Sequence, residues 1–227
     1  MTLDRTAVGA MLTSAAQILA ENGDYLSQID SRFGDGDHGI TIGKIAKLIQ
    51  ARVPEWGSRS IKDFFNELGM AIMEVNGGSA GPLYGTMIGG FGAQLGDDEN
   101  ELDSDGVRRM FSASLAEMED ITTAKVGDKT MMDALIPAVQ AAASTQGDGA
   151  DILEAAAVAA EAGAKASEGF VSKFGRARSY KEQTIGTPDA GAVSTALFFR
   201  GLANGVAGLK QPEQGTTLHN IFGRNAL

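Results

Sequence analysis

Apolar side chains along the chain recur mostly every three or four positions, the spacing of a helix with one buried face, and seldom alternate as in a strand. The first run of this kind comprises Val8, Met11, Leu12, Ala15, Ile18 and Leu19. Further helical runs occupy residues 42–49, 61–75, 82–94, 104–119, 130–143, 152–170 and 192–207. Short polar or glycine-bearing connections separate the runs. The pattern therefore predicts an all-α fold built from about eight helices.

Polar caps and helix breakers support the predicted helix boundaries. Ser60 directly precedes the third run, and Asp148 and Asp151 lie around the start of the seventh, as residues at helix N-termini do. Pro54 and Gly96 lie where the second and fourth runs should end. These signals make the connections, rather than the helix interiors, the places to look for chemistry.

Length and composition are those of an ordinary globular protein. The chain has 227 residues, of which 43% are hydrophobic, and no proline-rich or serine-rich linker divides it. We therefore expect one compact domain over residues 1–209. The tail over residues 210–227 has little periodicity, and we expect it to be flexible or to lie across the bundle.

The charge of the chain argues against several kinds of partner. The net charge is −10 and the basic residues are scattered, so we expect no binding to nucleic acid or to acidic membranes. There is no cysteine, which excludes thiolate chemistry and fits a reducing compartment. Polar residues interrupt the apolar positions near the N-terminus, so we expect no signal peptide, no membrane span and a cytosolic protein.

Three aspartates, Asp30, Asp35 and Asp37, lie within eight residues on a segment whose glycines allow sharp turns. Carboxylates crowded in this way repel one another unless cations lie between them. Their hard oxygen atoms favour Mg²⁺, Mn²⁺ or Ca²⁺ over softer ions. A metal held by so few carboxylates usually carries phosphate as well, so the segment predicts a divalent-metal site that binds phosphate.

Other interpretations of the same segment fit less well. Residues 34–39 match the dinucleotide pattern GxGxxG, but the preceding residues are mostly polar instead of a buried strand, and carboxylates would repel a pyrophosphate. An EF-hand would need ligands where the chain has Gly39 and Ala46. A phosphate-binding loop of the GxxxxGK[ST] type would need one more residue and a hydroxyl in place of Ile45. A solvated aspartate turn without any ligand remains an open alternative.

Three further connections are rich in glycine and polar residues: residues 76–86, 127–133 and 175–191. Each leads into a predicted helix, where free backbone N–H groups and the positive end of the helix dipole can hold phosphate oxygens. The last contains two arginines, Arg176 and Arg178, that could neutralise phosphate charge. Plain turns, helix caps and solvated arginines are the alternatives for these connections.

Taken together, the four segments resemble the ADP-binding L subunit, or L domain, of dihydroxyacetone kinases. The chain reads GDGDHG over residues 34–39, GGSAGPLYGT over 77–86, GDKTMMDALIP over 127–137, and GRA over 175–177 followed by IGTPDAG over 185–191. All occur in the family's order and across nearly the full chain. The resemblance implies an eight-helix antiparallel barrel with a nucleotide pocket at one end, where two Mg²⁺ ions anchor the diphosphate of ADP or ATP.

The resemblance also assigns residues. The metal ligands would be Asp30, Asp35 and Asp37. The nucleotide would be contacted by His38, Gly39, Ile40, Thr41, Gly78, Ser79, Ala80, Thr122, Met131, Arg176, Asp189, Ala190 and Gly191. The chain has Ser79-Ala80 where many members have Ala-Ser, which leaves open which of the two contacts phosphate. Ala190 replaces a usual proline, and Thr187-Pro188 replaces a common His-Gln pair, so we expect small changes in the turn that closes over the nucleotide.

The implied reaction is a metal-assisted phosphoryl transfer without a catalytic residue of this chain. In the family, the sugar binds to a separate K subunit, so the phosphoryl group would pass to dihydroxyacetone or a four-carbon ketose there. The phosphoryl donor is either exchanged ATP or a phosphotransferase-system protein that rephosphorylates retained ADP, and a separate L chain favours the second. We also expect a homodimer. The alternatives are a nucleotide-binding regulatory partner of a transcription factor and a metal-dependent phosphatase or lyase.

Overall fold

Helix boundaries in the computed structural model follow from local capping and from the spacing of apolar residues. The structure describes residues 1–210, and the predicted tail beyond residue 210 lies outside them. The α-helices are α1 (Arg5–Glu21), α2 (Gly23–Asp30), α3 (His38–Arg52), α4 (Ile61–Met73), α5 (Ala80–Gly90), α6 (Ser104–Ile121), α7 (Met132–Ser144), α8 (Gly149–Ala166) and α9 (Ala190–Lys210). Two 3₁₀ helices cover Ser167–Gly169 and Arg176–Thr184, and two short strands, β1 (Leu3–Asp4) and β2 (Glu101–Leu102), pair antiparallel.

Eight of these helices form a closed ring. Going round it, each helix packs on the next in the order α1, α3, α4, α5, α6, α7, α8, α9 and back to α1, while the short α2 packs mainly on α3. The apolar faces point inward and form one core cluster, with Tyr84, Phe91 and Phe198 among its largest fully buried side chains. The all-α fold predicted from the sequence is therefore confirmed, with eight ring helices.

One end of the ring gathers the starts of α1, α4, α6 and α8. Each of these helices has a capping side chain that accepts a hydrogen bond from a first-turn N–H: Asp4, Ser60, Asp103 and Asp148. Contacts between the connections hold this end together, including Arg5 to the Arg59 carbonyl at 3.0 Å and the pairing of β1 with β2. Because side chains of the protein accept from one or two first-turn N–H groups of each of these helices, the helix starts at this end are capped internally.

Small residues allow the closest helix contacts. A Cβ atom added to Gly201 of α9 would overlap the backbone of Ala15 on α1, so the two helices approach to a distance that only glycine permits.

Within residues 1–210, α9 is the one helix apolar and long enough to span a membrane, but 67% of that stretch is buried inside the protein, as in a core helix of a soluble protein.

The sequence pattern missed α2. This helix has only eight residues, of which Leu26 and Ile29 are buried, so it completes barely two turns and shows no clear helical period. It nevertheless matters for the rest of the molecule, because its last residue is Asp30.

Candidate functional site

The other end of the ring contains a cavity of about 330 Å³, where α3, α5, α7 and α9 begin. At the start of α7, the Met132 N–H donates to Thr130 Oγ1 at 3.2 Å. In α3 and α5, by contrast, the N-cap residues Asp37 and Ser79 form no side-chain capping hydrogen bond. Helix starts of this kind offer backbone N–H groups and a positive dipole end to a ligand. The free N–H groups at the starts of α3 and α5 therefore make this end suited to receive an anion.

The three aspartates lie at the edge of this cavity. Asp30 ends α2, Asp35 lies in the following loop and Asp37 directly precedes α3. One carboxylate oxygen from each lies within 4.8 Å of the others. The loop is folded back on itself, because the Gly36 N–H donates to Asp30 Oδ2 at 2.8 Å while Gly36 adopts a positive φ of 75°. The structure thus brings together the three carboxylates predicted from the sequence.

The charge balance of this cluster suits a divalent cation. Among the described residues, Arg176 forms an ion pair with Asp35, on the exposed side of the cluster. One guanidinium does not neutralise three carboxylates, and hard, negatively charged oxygens at this spacing are the ligands that Mg²⁺ or Ca²⁺ prefer. The residues present therefore fit such an ion.

His38 lies behind the aspartates at the start of α3. Its Nε2 atom lies 2.9 Å from Ser194 Oγ on α9. Burial lowers the pKa of His38, against an opposing effect of Asp30. The imidazole is therefore held neutral at physiological pH, linking α3 to α9.

The second wall consists of the connection before α5. Gly77 and Gly78 both have positive φ angles, 149° and 54°, which let the chain turn over the cavity mouth. A Cβ atom on Gly77 would overlap the side chain of Thr41, so this loop lies directly on the first turn of α3. Ser79 and Ala80 follow, at the start of α5.

Asp189 lies in the third wall of the cavity, directly before α9, and is half-buried. Its Oδ2 atom accepts a hydrogen bond from the Ala192 N–H at 2.8 Å, which caps α9. Burial raises the pKa of Asp189 to about 7, with hydrogen bonding to Ala192 opposing the rise.

Tyr84 lies deeper in the cavity, and burial raises the pKa of its hydroxyl to about 12, so it remains protonated.

Most of the residues that the resemblance assigns do line the cavity. Three do not. Gly39 faces α2, where an added Cβ would overlap the Gly23 carbonyl. Ile40 points to solvent, with 61% of its area exposed. Thr122 directly follows α6, and its hydroxyl accepts from the Ala124 N–H at 3.2 Å. Neither Ile40 nor Thr122 therefore places its side chain in the cavity, and Gly39 has only backbone atoms to offer, so contacts of these three residues with the nucleotide stay predictions.

The cavity wall also contains residues that the sequence reasoning did not select. The most informative is Lys129, which is 4% exposed although it is charged. Others are Phe33, Leu83, Tyr84, Thr130, Ser172 and Phe174. The signal for Lys129 was its place in the connection GDKTM directly before a helix, but nothing local distinguishes a buried lysine there from a solvated one.

Comparison with known proteins places the chain among dihydroxyacetone kinases and their relatives. A family model described as the DAK2 domain matches residues 32–204. The "PEP-dependent dihydroxyacetone kinase 1, ADP-binding subunit DhaL" of Listeria innocua is 31% identical over 89% of this chain and 97% of its own length. The "L-erythrulose kinase" of Pectobacterium atrosepticum is 33% identical over 84% of this chain, which spans only 33% of that relative.

Solved structures give a consistent picture. The crystal structure of the dihydroxyacetone kinase from C. freundii in complex with AMP-PNP and Mg²⁺ superimposes with a TM-score of 0.66 and 26% sequence identity. The match covers 87% of this chain and 33% of the crystallised chain, so this chain corresponds to about a third of that protein.

Proposed function

Since this chain belongs to the DAK2 domain family, we propose that it is the ADP-binding subunit of a kinase acting on dihydroxyacetone or another short ketose. One observation carries the proposal: three carboxylates meet at the edge of a cavity onto which two helices, α3 and α5, open without capping side chains. An acidic cluster binds cations and uncapped helix starts bind anions. A nucleotide polyphosphate with its metal ions satisfies both at once.

We propose Asp30, Asp35 and Asp37 as the ligands of two Mg²⁺ ions. When bound, these ions supply positive charge that offsets the carboxylates and stabilises the charge on the phosphoryl group during transfer. Arg176 pairs with Asp35 in the structure and is placed to exchange this partner for a phosphate oxygen.

The remaining walls orient the nucleotide. The starts of α3 and α5 present N–H groups beside His38, Thr41 and Ser79, which suits the binding of phosphate oxygens. Met131, on the opposite side, offers an apolar surface suited to the base. The turn over Asp189–Gly191 forms the third side.

We further propose that the acceptor sugar is bound by a separate K subunit, so that transfer occurs across a subunit interface. The name of the Listeria relative supports this, since it describes one subunit of a kinase. The words "PEP-dependent" and "ADP-binding" in the same name support phosphoenolpyruvate as the phosphoryl source, and we propose a phosphotransferase-system protein as the donor that rephosphorylates bound ADP. The relatives include a dihydroxyacetone kinase subunit and an erythrulose kinase. We therefore propose a short ketose as the acceptor sugar.

A reconstitution experiment tests the proposal. The purified chain is mixed with a K subunit, Mg²⁺ and either dihydroxyacetone or erythrulose, and supplied with ATP or with phosphoenolpyruvate and phosphotransferase proteins. Sugar phosphate formed only with the phosphotransferase proteins identifies the ADP-retaining kinase, whereas formation from ATP alone identifies the exchanging type. If no product forms under either condition while nucleotide stays bound, the protein is a regulatory nucleotide-binding protein and not a kinase subunit. Sedimentation of the chain alone tests the predicted homodimer.

A further inference from the structure

Lys129 is a buried lysine in the cavity wall, and the proposed function gives it no role. Its Nζ atom donates three hydrogen bonds to backbone carbonyls: to Ser167 at 2.7 Å, to Phe170 at 3.1 Å and to Thr187 at 2.5 Å. The residue is 4% exposed. Its backbone has a positive φ of 62°, a conformation that is uncommon for residues other than glycine.

The three hydrogen bonds limit which further groups the ammonium of Lys129 can bind. An ammonium group has three N–H bonds, and all three are directed at carbonyl oxygens of the protein. None is left for a phosphate oxygen, so Lys129 differs from a lysine that grips a nucleotide directly. Burial lowers the pKa of Lys129, but Asp189 and Asp133 oppose this effect and favour the charged form.

The three carbonyls belong to two segments that are distant from Lys129 in the sequence. Ser167 and Phe170 belong to the turn that follows α8, and Thr187 belongs to the connection before α9. Further bonds join the same two segments: the Asp189 N–H donates to Ser167 Oγ at 2.9 Å, and the Gly186 N–H donates to the Glu168 carbonyl at 2.7 Å. Lys129 bonds to both of them from the start of α7, and the neighbouring Asp128 adds a bond to the segment after α8, since its carbonyl accepts from the Lys173 N–H at 3.1 Å.

This junction sets the separation of two cavity walls. Lys129 lies two residues before Met131, and Thr187 lies two residues before Asp189, so the bond from Nζ to the Thr187 carbonyl spans the base of both walls. The walls already approach closely, because a Cβ atom added to Gly191 would lie 3.4 Å from the Met131 nitrogen. A small movement of either segment would therefore open or close the space between them.

We propose that Lys129 is a positioning residue: its ammonium group holds the connection before α9 against the start of α7, at the spacing that the nucleotide requires. This inference rests on the proposed function for the identity of the ligand. The left-handed backbone at Lys129 is the conformation that turns the side chain back towards Ser167 and Thr187, and backbone strain of this kind persists only where surrounding contacts maintain it.

Two substitutions test the proposal, with a matched control. Lys129→Met removes the ammonium group and keeps the length of the side chain. Lys129→Gly removes the same bonds while relieving the strained backbone, so it is the variant better suited to fold. Lys125→Met is the control, since Lys125 is an exposed lysine of the same connection and its replacement changes the net charge equally.

Three measurements are made on each protein: hydrogen exchange of amides 186–192 without nucleotide, the ADP dissociation constant with Mg²⁺ by calorimetry, and Mn²⁺ binding without nucleotide by electron paramagnetic resonance. A wall that holds the binding geometry about a tenth of the time raises the apparent dissociation constant about tenfold. We expect this increase for ADP in both Lys129 variants, together with faster exchange of amides 186–192. Mn²⁺ affinity should change by less than about twofold, since the aspartate cluster lies on other segments.

The outcomes separate this proposal from the one on which it rests. Unchanged exchange of amides 186–192 in a folded Lys129 variant would overturn the positioning role, as would an equal loss of Mn²⁺ and ADP binding. Failure of both variants to fold, judged by circular dichroism, would assign Lys129 to folding alone. If the wild-type protein binds no ADP, the proposed function fails, while hydrogen exchange still decides whether Lys129 holds the wall.

Discussion

Replacing Asp189 by asparagine should change how the stability of this protein depends on pH. The carboxyl group has an ordinary pKa of 3.8, and burial raises it to about 7 in the folded protein. Folding therefore favours the protonated form. The resulting contribution to stability is fully present below pH 3.8 and is lost as the pH rises through about 7. Asparagine keeps an oxygen that can accept from the Ala192 N–H but cannot ionise.

The size of the effect follows from the two pKa values. A rise from 3.8 to about 7 corresponds to about 4 kcal/mol over the whole titration, at about 1.4 kcal/mol per pKa unit. Between about pH 5 and pH 8, where the protein is convenient to study, the share that is lost is about 2.5 kcal/mol. The difference in unfolding free energy between wild type and Asp189→Asn should therefore shift by about this amount across that interval.

Urea unfolding followed by circular dichroism measures this difference at pH 5, 6, 7 and 8, with a chelator present to remove divalent ions. Comparing the variant with wild type at each pH cancels the titration of all other groups. Asp98→Asn, at an exposed position of the connection before β2, is the matched control. A wild-type to Asp189→Asn difference that stays constant within about 0.5 kcal/mol would refute the reasoning, since it would mean that the folded protein has no Asp189 titration near pH 7.

Further predictions concern the cluster and the helix packing. Asp35→Asn should weaken Mg²⁺-dependent ADP binding by about tenfold or more without changing the helical spectrum, since the loop lies outside the core; unchanged affinity by calorimetry would contradict the metal assignment. Arg200→Met should cost about 2 kcal/mol in urea unfolding, because Arg200 donates to Glu161 at 2.7 Å across α8 and α9 and its removal leaves that carboxylate unpaired. Gly201→Ala should cost about 1–3 kcal/mol by pushing α9 away from α1. Gly43→Ala, with no described atom within 4 Å of the added Cβ, should instead be neutral or stabilise α3 by up to about 1 kcal/mol.

Features formed by residues close together in the sequence can be predicted from the sequence. Asp30, Asp35 and Asp37 could be selected from the sequence because they lie within eight residues, and a segment that short must keep them near one another. Capping residues such as Ser60 and Asp148 could be recognised for a similar reason, since a cap bonds to N–H groups only two or three positions further on.

Features that depend on contacts between residues distant in the sequence are predicted less completely. The direction of a side chain depends on the rotation of its helix against its neighbours, so a motif does not show that Ile40 is exposed or that Thr122 lies outside the cavity lining. The short α2 was missed because two buried residues do not establish a period. Lys129 was passed over because its carbonyl partners lie 38 to 58 residues away.

The sequence by itself therefore determined the helical class, the helix starts and the members of the carboxylate cluster, all of which follow from interactions between residues near in the chain. Only the tertiary structure decided that the uncapped starts of α3 and α5 meet the aspartate cluster at one end of the ring, while the capped starts of α1, α4, α6 and α8 meet at the other. It also decided which charged groups become buried, as at Asp189 and Lys129. The physical reason is that burial and the closing of the ring depend on all eight ring helices packing together, which no local pattern specifies.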